Sequence, residues 1–410
     1  MFGVLLSLIA ATALAYMPAQ KGMPASSYKS SSSRQYMTIV RSSRSLSSKS
    51  VRSAMLKMLP TGKSSKSSAM PSSGGRHGAA ASSVAERNPA AYAGVYLGAG
   101  SMGRDEFLEQ TMKSVGESGG NTIIFDVKGS RVFFDGDTPM ADELGLVHNS
   151  YDLDSVIKKA RERGIYTMGR FVALKDSGLA SVKPSTLVRL PKTGVQIQGD
   201  FVDADNADVL EYNRQAICTL AKSGIDEINL DYIRFSTANF GALYQFSTEE
   251  KTRKITRFVQ MARDTIDECG PKTKLGISTF AILGWNYDVN VATLGQAIPE
   301  LSDIVDIVSP MAYPATFAAG SYYSPGKHPI SRMYYLVWRT LDGYKPLMGE
   351  ENVHKLRPWI QGYGVDTKDM QDQMKAVHDA GVCGFTVWNA NNNYGPTYKA
   401  LPSWEYPEGC

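Results

Sequence analysis

The sequence predicts an α/β protein whose folded part is a closed barrel of eight parallel strands, a (β/α)8 architecture, behind a long N-terminal extension. Three observations carry that expectation. From Tyr92 onward, short runs rich in Val, Ile and aromatic residues alternate with longer stretches of helical period. Eight such pairs fit into about 310 residues, the number a closed barrel needs, whereas an open doubly wound sheet uses fewer strands. The stretch 227–235 also reads as a strand that hides Glu227, Asn229 and Asp231 on one face while Ile228, Leu230 and Tyr232 occupy the other.

The strands are expected at 94–97, 122–127, 166–172, 227–233, 274–280, 305–310 continuing to 313, 356–361 and 384–389. Helical period places helices at 105–115, 153–163, 207–222, 248–268, 291–301 and 368–380. In such a barrel, functional groups gather at the C-terminal ends of the strands. Those ends supply Asp126 and Lys128, Arg170, Asp231 and Arg234, Ser278, Tyr313, Gln361 and Tyr363, and Trp388 and Asn389. Burying an ionised carboxylate costs several kcal/mol unless it is paired or reaches water, so Asp231 is expected at a strand end that opens into a cleft.

The first 89 residues have a different composition. Residues 1–15 are an uncharged apolar run ending in Ala13-Leu14-Ala15, the small-x-small form of a signal-peptidase site, although the usual N-terminal Lys or Arg is missing. Residues 16–90 are rich in Ser, Ala, Gly and basic residues, with Glu86 the one acid, and read as a disordered linker. This segment carries a charge of about +11, which leaves about −7 for the remainder of a chain whose total is +4. The basic pI therefore belongs to the linker. Contact with a cell-wall or envelope polymer is open to it; nucleic acid is not expected, because few aromatic residues are interleaved with the charges. The remaining organisation is a barrel over 91–404 and a tail over 405–410. An exported protein, secreted or held in the cell envelope, is the expectation.

Cys218, Cys269, Cys383 and Cys410 have no zinc-ligand spacing; in an exported chain their even number permits disulfides in three pairings. Cys218 falls in an apolar helical pattern and reads as a small core residue. No divalent-metal motif is evident, and neither a metal nor another cofactor is expected.

One rim that collects carboxylates, cations, amides and aromatic faces suits a sugar: acids for bond cleavage, amides and guanidinium for hydroxyls, and rings for the apolar face of a pyranose. Asp231 is the expected nucleophile or base and Asp126 the acid. Lys128, Arg170, Arg234, Trp285, Tyr313, Gln361, Trp388 and Asn389 are the expected substrate-binding residues.

LDYIRF at 230–235, VSPMAYP at 308–314, RPWIQGY at 357–363 and GFTVWNANNNY at 384–394 occur in that order. With GVYLGAG, FDVKG, RFVALKD and VDADNADVLEYN they make the chain resemble a bacterial family of glycosidase-like TIM-barrel domains, over about residues 93–394. The resemblance implies a carbohydrate substrate and glycoside hydrolysis. Asp231 matches the family's Asp in its DY(I/V)RF motif, Asp126 the acid ending the second strand, and Asp203 a recurrent acid that here reads as the cap of the helix beginning nearby. Three positions depart from the family: Ser236 stands for Pro, Ser278 for a fifth-strand Asp, and Thr316 for a polar residue, often His. The missing Asp leaves a second reading, a non-catalytic glycan-binding barrel. A third, dinucleotide binding by the GxGxxG pattern at Gly98 to Gly103, is opposed by Arg104, Asp105 and Glu106, whose acids would repel phosphate at the helix start.

Overall fold

The computed structural model describes residues 90–197, 199–237 and 245–410. The signal-peptide and linker expectations concern residues outside that set, except for Ala90. Eight parallel strands close on one another in sequence order: β1 (Ala93–Leu97), β2 (Thr122–Lys128), β3 (Tyr166–Val172), β4 (Glu227–Asp231), β5 (Lys274–Phe280), β6 (Ile307–Met311), β7 (Trp359–Gln361) and β8 (Phe385–Trp388), with β8 pairing to β1. Closure removes every sheet edge. It also excludes the open doubly wound sheet that dinucleotide binding would need.

Strand parity sorts the apolar side chains into two bodies. Ile123, Phe125, Phe171, Ile228, Leu230, Ile277, Val308, Ile360 and Phe385 point outward into the main core beneath the helices. Tyr96, Ile124, Met168 and Trp359 point inward and form a small separate cluster in the lumen. Because side chains alternate along a strand, the residues between the outward set are the ones that can carry chemistry.

The lumen is also polar at its lower end. Glu227 and Arg357 are fully buried there, and the guanidinium donates to both carboxylate oxygens at 2.6 and 2.7 Å. Above this pair, the Ser278 hydroxyl donates to Asn229 Oδ1 at 2.7 Å and accepts from the Trp359 indole N–H at 2.9 Å. Gly276 leaves the room these groups occupy: a Cβ there would lie 2.4 Å from Glu227 Oε1 and 2.6 Å from Asn229 Nδ2.

Several boundaries differ from the sequence reading for identifiable reasons. Strand β4 stops at Asp231, because Tyr232 takes a left-handed backbone with φ of 57°. The expected strand at 356–361 is shortened to Trp359–Gln361, next to Pro358, which has no N–H for a ladder. The helix expected over 291–301 is two helices, Tyr287–Leu294 and Ile298–Ile304, separated where Gly295 turns left-handed at φ 75°. A helix not expected at all, Arg332–Met348, connects β6 to the β7 region despite containing Pro346. The helix Ala207–Lys222 has its expected bounds, but its cap is Asn206, whose side chain accepts from the N–H groups of Asp208 and Val209. Asp203 instead pairs with Lys254 at 2.7 Å.

The cysteines form two disulfides, Cys218–Cys269 and Cys383–Cys410. Cys218 is thus a cross-link between the helices Ala207–Lys222 and Thr248–Cys269 rather than a lone core residue. The apolar periodicity around it was compatible with either role.

Candidate active site at the C-terminal rim of the barrel

The rim is organised around Arg170, the fifth residue of β3, whose side chain rises between two neighbouring strands. Its Nε and one terminal nitrogen donate to Asp231 Oδ2 at 2.9 and 2.7 Å, and its other terminal nitrogen donates to Asp126 Oδ1 at 2.7 Å. The other oxygen of each acid is also engaged. Tyr96 O–H donates to Asp126 Oδ2 at 2.6 Å, and the Tyr232 N–H donates to Asp231 Oδ1 at 2.7 Å. One guanidinium spans both acids, so their facing oxygens lie at most roughly 8 Å apart, below the upper limit of about 9.5 Å for the paired carboxylates of glycosidases.

Burial differs between the two acids. The Asp231 side chain is 8% exposed and that of Asp126 17% exposed, so the second offers more surface to an incoming group. Behind Asp126, Tyr151 donates its O–H to the Asp126 backbone carbonyl at 2.7 Å. Burial, with Asp126 close by, pushes the Tyr151 phenol well above its ordinary pKa, so it remains a hydrogen-bond donor.

The aromatic residues of the rim form a second group. Trp388 lies 5.8 Å from Tyr313, 5.4 Å from Tyr363 and 6.3 Å from Tyr96, measured between ring centroids. Tyr96 belongs to both groups, since its hydroxyl holds Asp126 while its ring stands near Trp388. An acid and an aromatic platform joined by one side chain is the arrangement by which a pyranose can be stacked and cleaved at the same place.

Other expected residues have different places. Lys128 is completely buried: its ammonium donates to Asp176 at 2.7 Å and to the Val172 carbonyl at 2.9 Å. That placement makes it an internal ion pair beneath the loop after β3 and corrects the substrate-binding role expected for it. Strand alternation puts Asp126 and Lys128 on one face only if the strand is regular, and the β2–β3 register slips between them. Gln361 and Asn389 are at the rim, but their amides serve the backbone. Gln361 donates to the Tyr363 carbonyl and accepts from Ala315 N–H, while Asn389 donates to the carbonyls of Gly362 and Asn393. They are positioning residues for the loops that carry Tyr313, Tyr363 and Trp388. Trp285 is outside the Trp388 group, in a separate hydrophobic cluster with Phe317 and Leu336, and its indole N–H donates to Thr340. Arg234 lies against the rings of Phe280, Tyr232 and Phe201, 4.6 to 5.3 Å from their centroids, and donates to the Phe235 carbonyl.

Three contributors escaped the sequence reading: Tyr96, Tyr232 and Lys175. Tyr96 could have been found, since it is two residues from Gly94 and therefore faces inward with it. The left-handed backbone of Tyr232, uncommon for a residue with a side chain, had no signal in the sequence. Lys175 sits in the RFVALKD segment but beyond the strand end, where alternation gives no direction. It is half-buried, with its ammonium 5.2 Å from the centre of the Tyr232 ring.

Ser278, where the resemblance expects an acid, is 2% exposed and belongs to the lumen layer below the rim. The carboxylate pair on this barrel is formed by β2 and β4 without it.

Comparison with known proteins bears on the fold and the family. No curated protein matches the chain. Among solved structures, a hypothetical protein from Ruminiclostridium thermocellum is 27% identical over 45% of this chain and 96% of that one, with a TM-score of 0.38. The β-galactosidase of the psychrophilic Marinomonas ef1 shares the fold at a TM-score of 0.52 and 12% identity, over 77% of this chain and 57% of that one. The endo-1,4-β-D-mannanase of Thermotoga petrophila RKU-1 does so at 0.50 and 13% identity, over 76% and 98%. A family model matches residues 94–394, from the first strand to the loop beyond the last, and the chain belongs to that family, described as "Putative glycosyl hydrolase domain".

Proposed function

We propose that this glycosidase hydrolyses a glycosidic bond in an extracellular or cell-envelope polysaccharide, with Asp231 as nucleophile or base and Asp126 as acid. The observation that carries the assignment is the single guanidinium of Arg170 bonded to both carboxylates. It sets their spacing, and spacing is what a two-carboxylate mechanism requires. Both acids accept on both oxygens, but Asp231 takes three N–H donors where Asp126 takes one guanidinium nitrogen and a phenol, so Asp231 is the more firmly held anion. Asp126 is the more exposed acid and stands beside the aromatic group, where a leaving sugar would be protonated. Trp388 and Tyr313 supply the stacking face.

Export is supported by the signal-like first fifteen residues and by two disulfides, which suit an oxidising compartment. The basic segment before the barrel then contacts anionic wall or envelope polymer.

The test is reducing-sugar release from a panel of bacterial exopolysaccharides and wall glycans by the full chain and by its Asp231→Asn variant. Release that disappears in the variant supports the assignment. The second reading, a glycan-binding barrel without catalysis, rests on Ser278 standing where the family carries an acid; it is the outcome if the parent binds a glycan, releases nothing, and binds equally well after Asp231→Asn.

A further inference from the structure

Beside the carboxylate pair lies a second cluster that the cleavage chemistry does not use. Lys175 and Arg234 both stand against the ring of Tyr232, at 5.2 and 4.9 Å from its centroid. Tyr232 is the residue immediately after Asp231, and it is held in a left-handed backbone that costs of order 1 kcal/mol or more for a residue with a side chain. Lys175 is fixed from the other side by the long excursion after β3, where it bridges to Phe201, whose ring in turn lies 5.3 Å from Arg234. Two elements distant in the chain thus bring two cations to one aromatic ring at the edge of the active site.

Their charge is not needed to satisfy the acids. Asp231 already takes three N–H donors and Asp126 a guanidinium and a phenol. Crowding a half-buried ammonium beside a guanidinium is unfavourable: burial, then the neighbouring Arg234, lower the Lys175 pKa, while Asp200 and Asp231 act in the opposite direction. Two cations held at one ring make a place where an anionic group is favoured.

We infer that Lys175 and Arg234 form a subsite for an anionic substituent, a carboxylate, sulfate or phosphate ester, on the sugar bound next to the cleaved bond. The inference rests on the glycosidase reading for the location of that bond, and it narrows the substrate to acidic glycans. The barrel region as a whole is acidic, so this local reversal of sign would select for charged groups presented in one orientation and repel polyanions elsewhere.

The experiment uses the full chain carrying Asp231→Asn, so that binding is read without turnover. It is titrated calorimetrically with an oligogalacturonate, its carboxyl-reduced neutral counterpart, and a sulfated galactan oligosaccharide. The expected result is a preference for one of the two acidic probes over the neutral one, which adding Lys175→Met cuts about tenfold and Lys175→Arg restores. The basic N-terminal segment is present in every form, so its own attraction for polyanions cancels from the comparison. Tighter oligogalacturonate binding assigns a uronate, and tighter galactan binding assigns a sulfate ester. Absence of any acidic preference, or a loss that is equal for acidic and neutral probes, overturns the subsite. Reducing-sugar release by the chain with Asp231 intact separates the two ideas: no release, with Lys175-dependent acidic binding retained, removes the glycosidase assignment and leaves the subsite standing.

Discussion

Asp126 and Asp231, at the ends of two strands that are not neighbours in the barrel, are hydrogen-bonded to the same arginine side chain. Strand β3 stands between them, and Arg170 is the residue of that strand aligned with Asp126 across the β2–β3 ladder. Arg170→Met therefore releases both acids at once. Turnover is expected to fall at least about 100-fold with a small change in KM; an unchanged kcat would show that the bridge is packing and not positioning.

The Glu227–Arg357 pair supports a prediction about stability alone. Both side chains are completely buried, and removing one partner leaves an uncompensated charge in the lumen. Arg357→Met is expected to lower unfolding free energy by about 3–5 kcal/mol in a urea titration, whereas the double change Glu227→Gln with Arg357→Met recovers much of that loss. Equal losses in the single and double variants would mean that packing volume, and not charge, governs the site.

Lys175 gives a prediction with a definite sign in pH. Its folded-state pKa is depressed, chiefly by burial, so at pH values below that pKa the folded form carries an ammonium that the unfolded form holds more comfortably. The penalty is present in full there and is relieved as pH rises through the lowered value towards the unfolded one. Parent stability should rise across that alkaline window relative to Lys175→Met, and the variant should be at least as stable as the parent at neutral pH. Thermal melts from pH 7 to 10 would reveal it, and a parent curve running parallel to the variant's throughout would exclude the linkage.

Trp388 touches three other rim aromatics, so Trp388→Ala removes the centre of the stacking surface. An increase in KM of about tenfold with kcat less affected is expected for a platform that binds ground state and transition state alike. A selective fall in kcat would instead place Trp388 in the chemistry.

The Cys218–Cys269 bond closes 51 residues of chain between two helices of the outer layer. Its loss through Cys218→Ser with Cys269→Ser should cost about 3–4 kcal/mol on the chain-entropy account. Differential scanning calorimetry of the double variant measures this, and an unchanged melting temperature would show that helix packing alone holds the pair.

The barrel was legible because its signals are periodic. Strands 166–172 and 274–280 and helix 207–222 have the bounds that alternation and helical period assign. The alternate residues Glu227, Asn229 and Asp231 revealed the lumen face in the same way. Where periodicity ends, so did the reading. Lys128 lies one step past a register slip and turned under the sheet, and Lys175 lies in an excursion whose direction depends on contacts with Phe201. The roles of Gln361 and Asn389 were hidden for a different reason, since an amide that binds sugar and one that binds backbone look the same in sequence. The helix Arg332–Met348 went unseen because its aromatic residues and Pro346 argue against helix, and tertiary packing overrides that preference.

The inward cluster of Ile124, Met168 and Trp359, sealed by the Ser278 hydroxyl, has a kinetic meaning as well as a structural one. It fills the lumen below the carboxylates, so on the proposed reading water and glycan both reach them from the rim of the barrel. Solvent and incoming sugar then compete for one doorway. On the proposed reading, a long glycan lying across Trp388 and Tyr313 would restrict the access of water to the carboxylates, which makes chain length a control on the rate of hydrolysis.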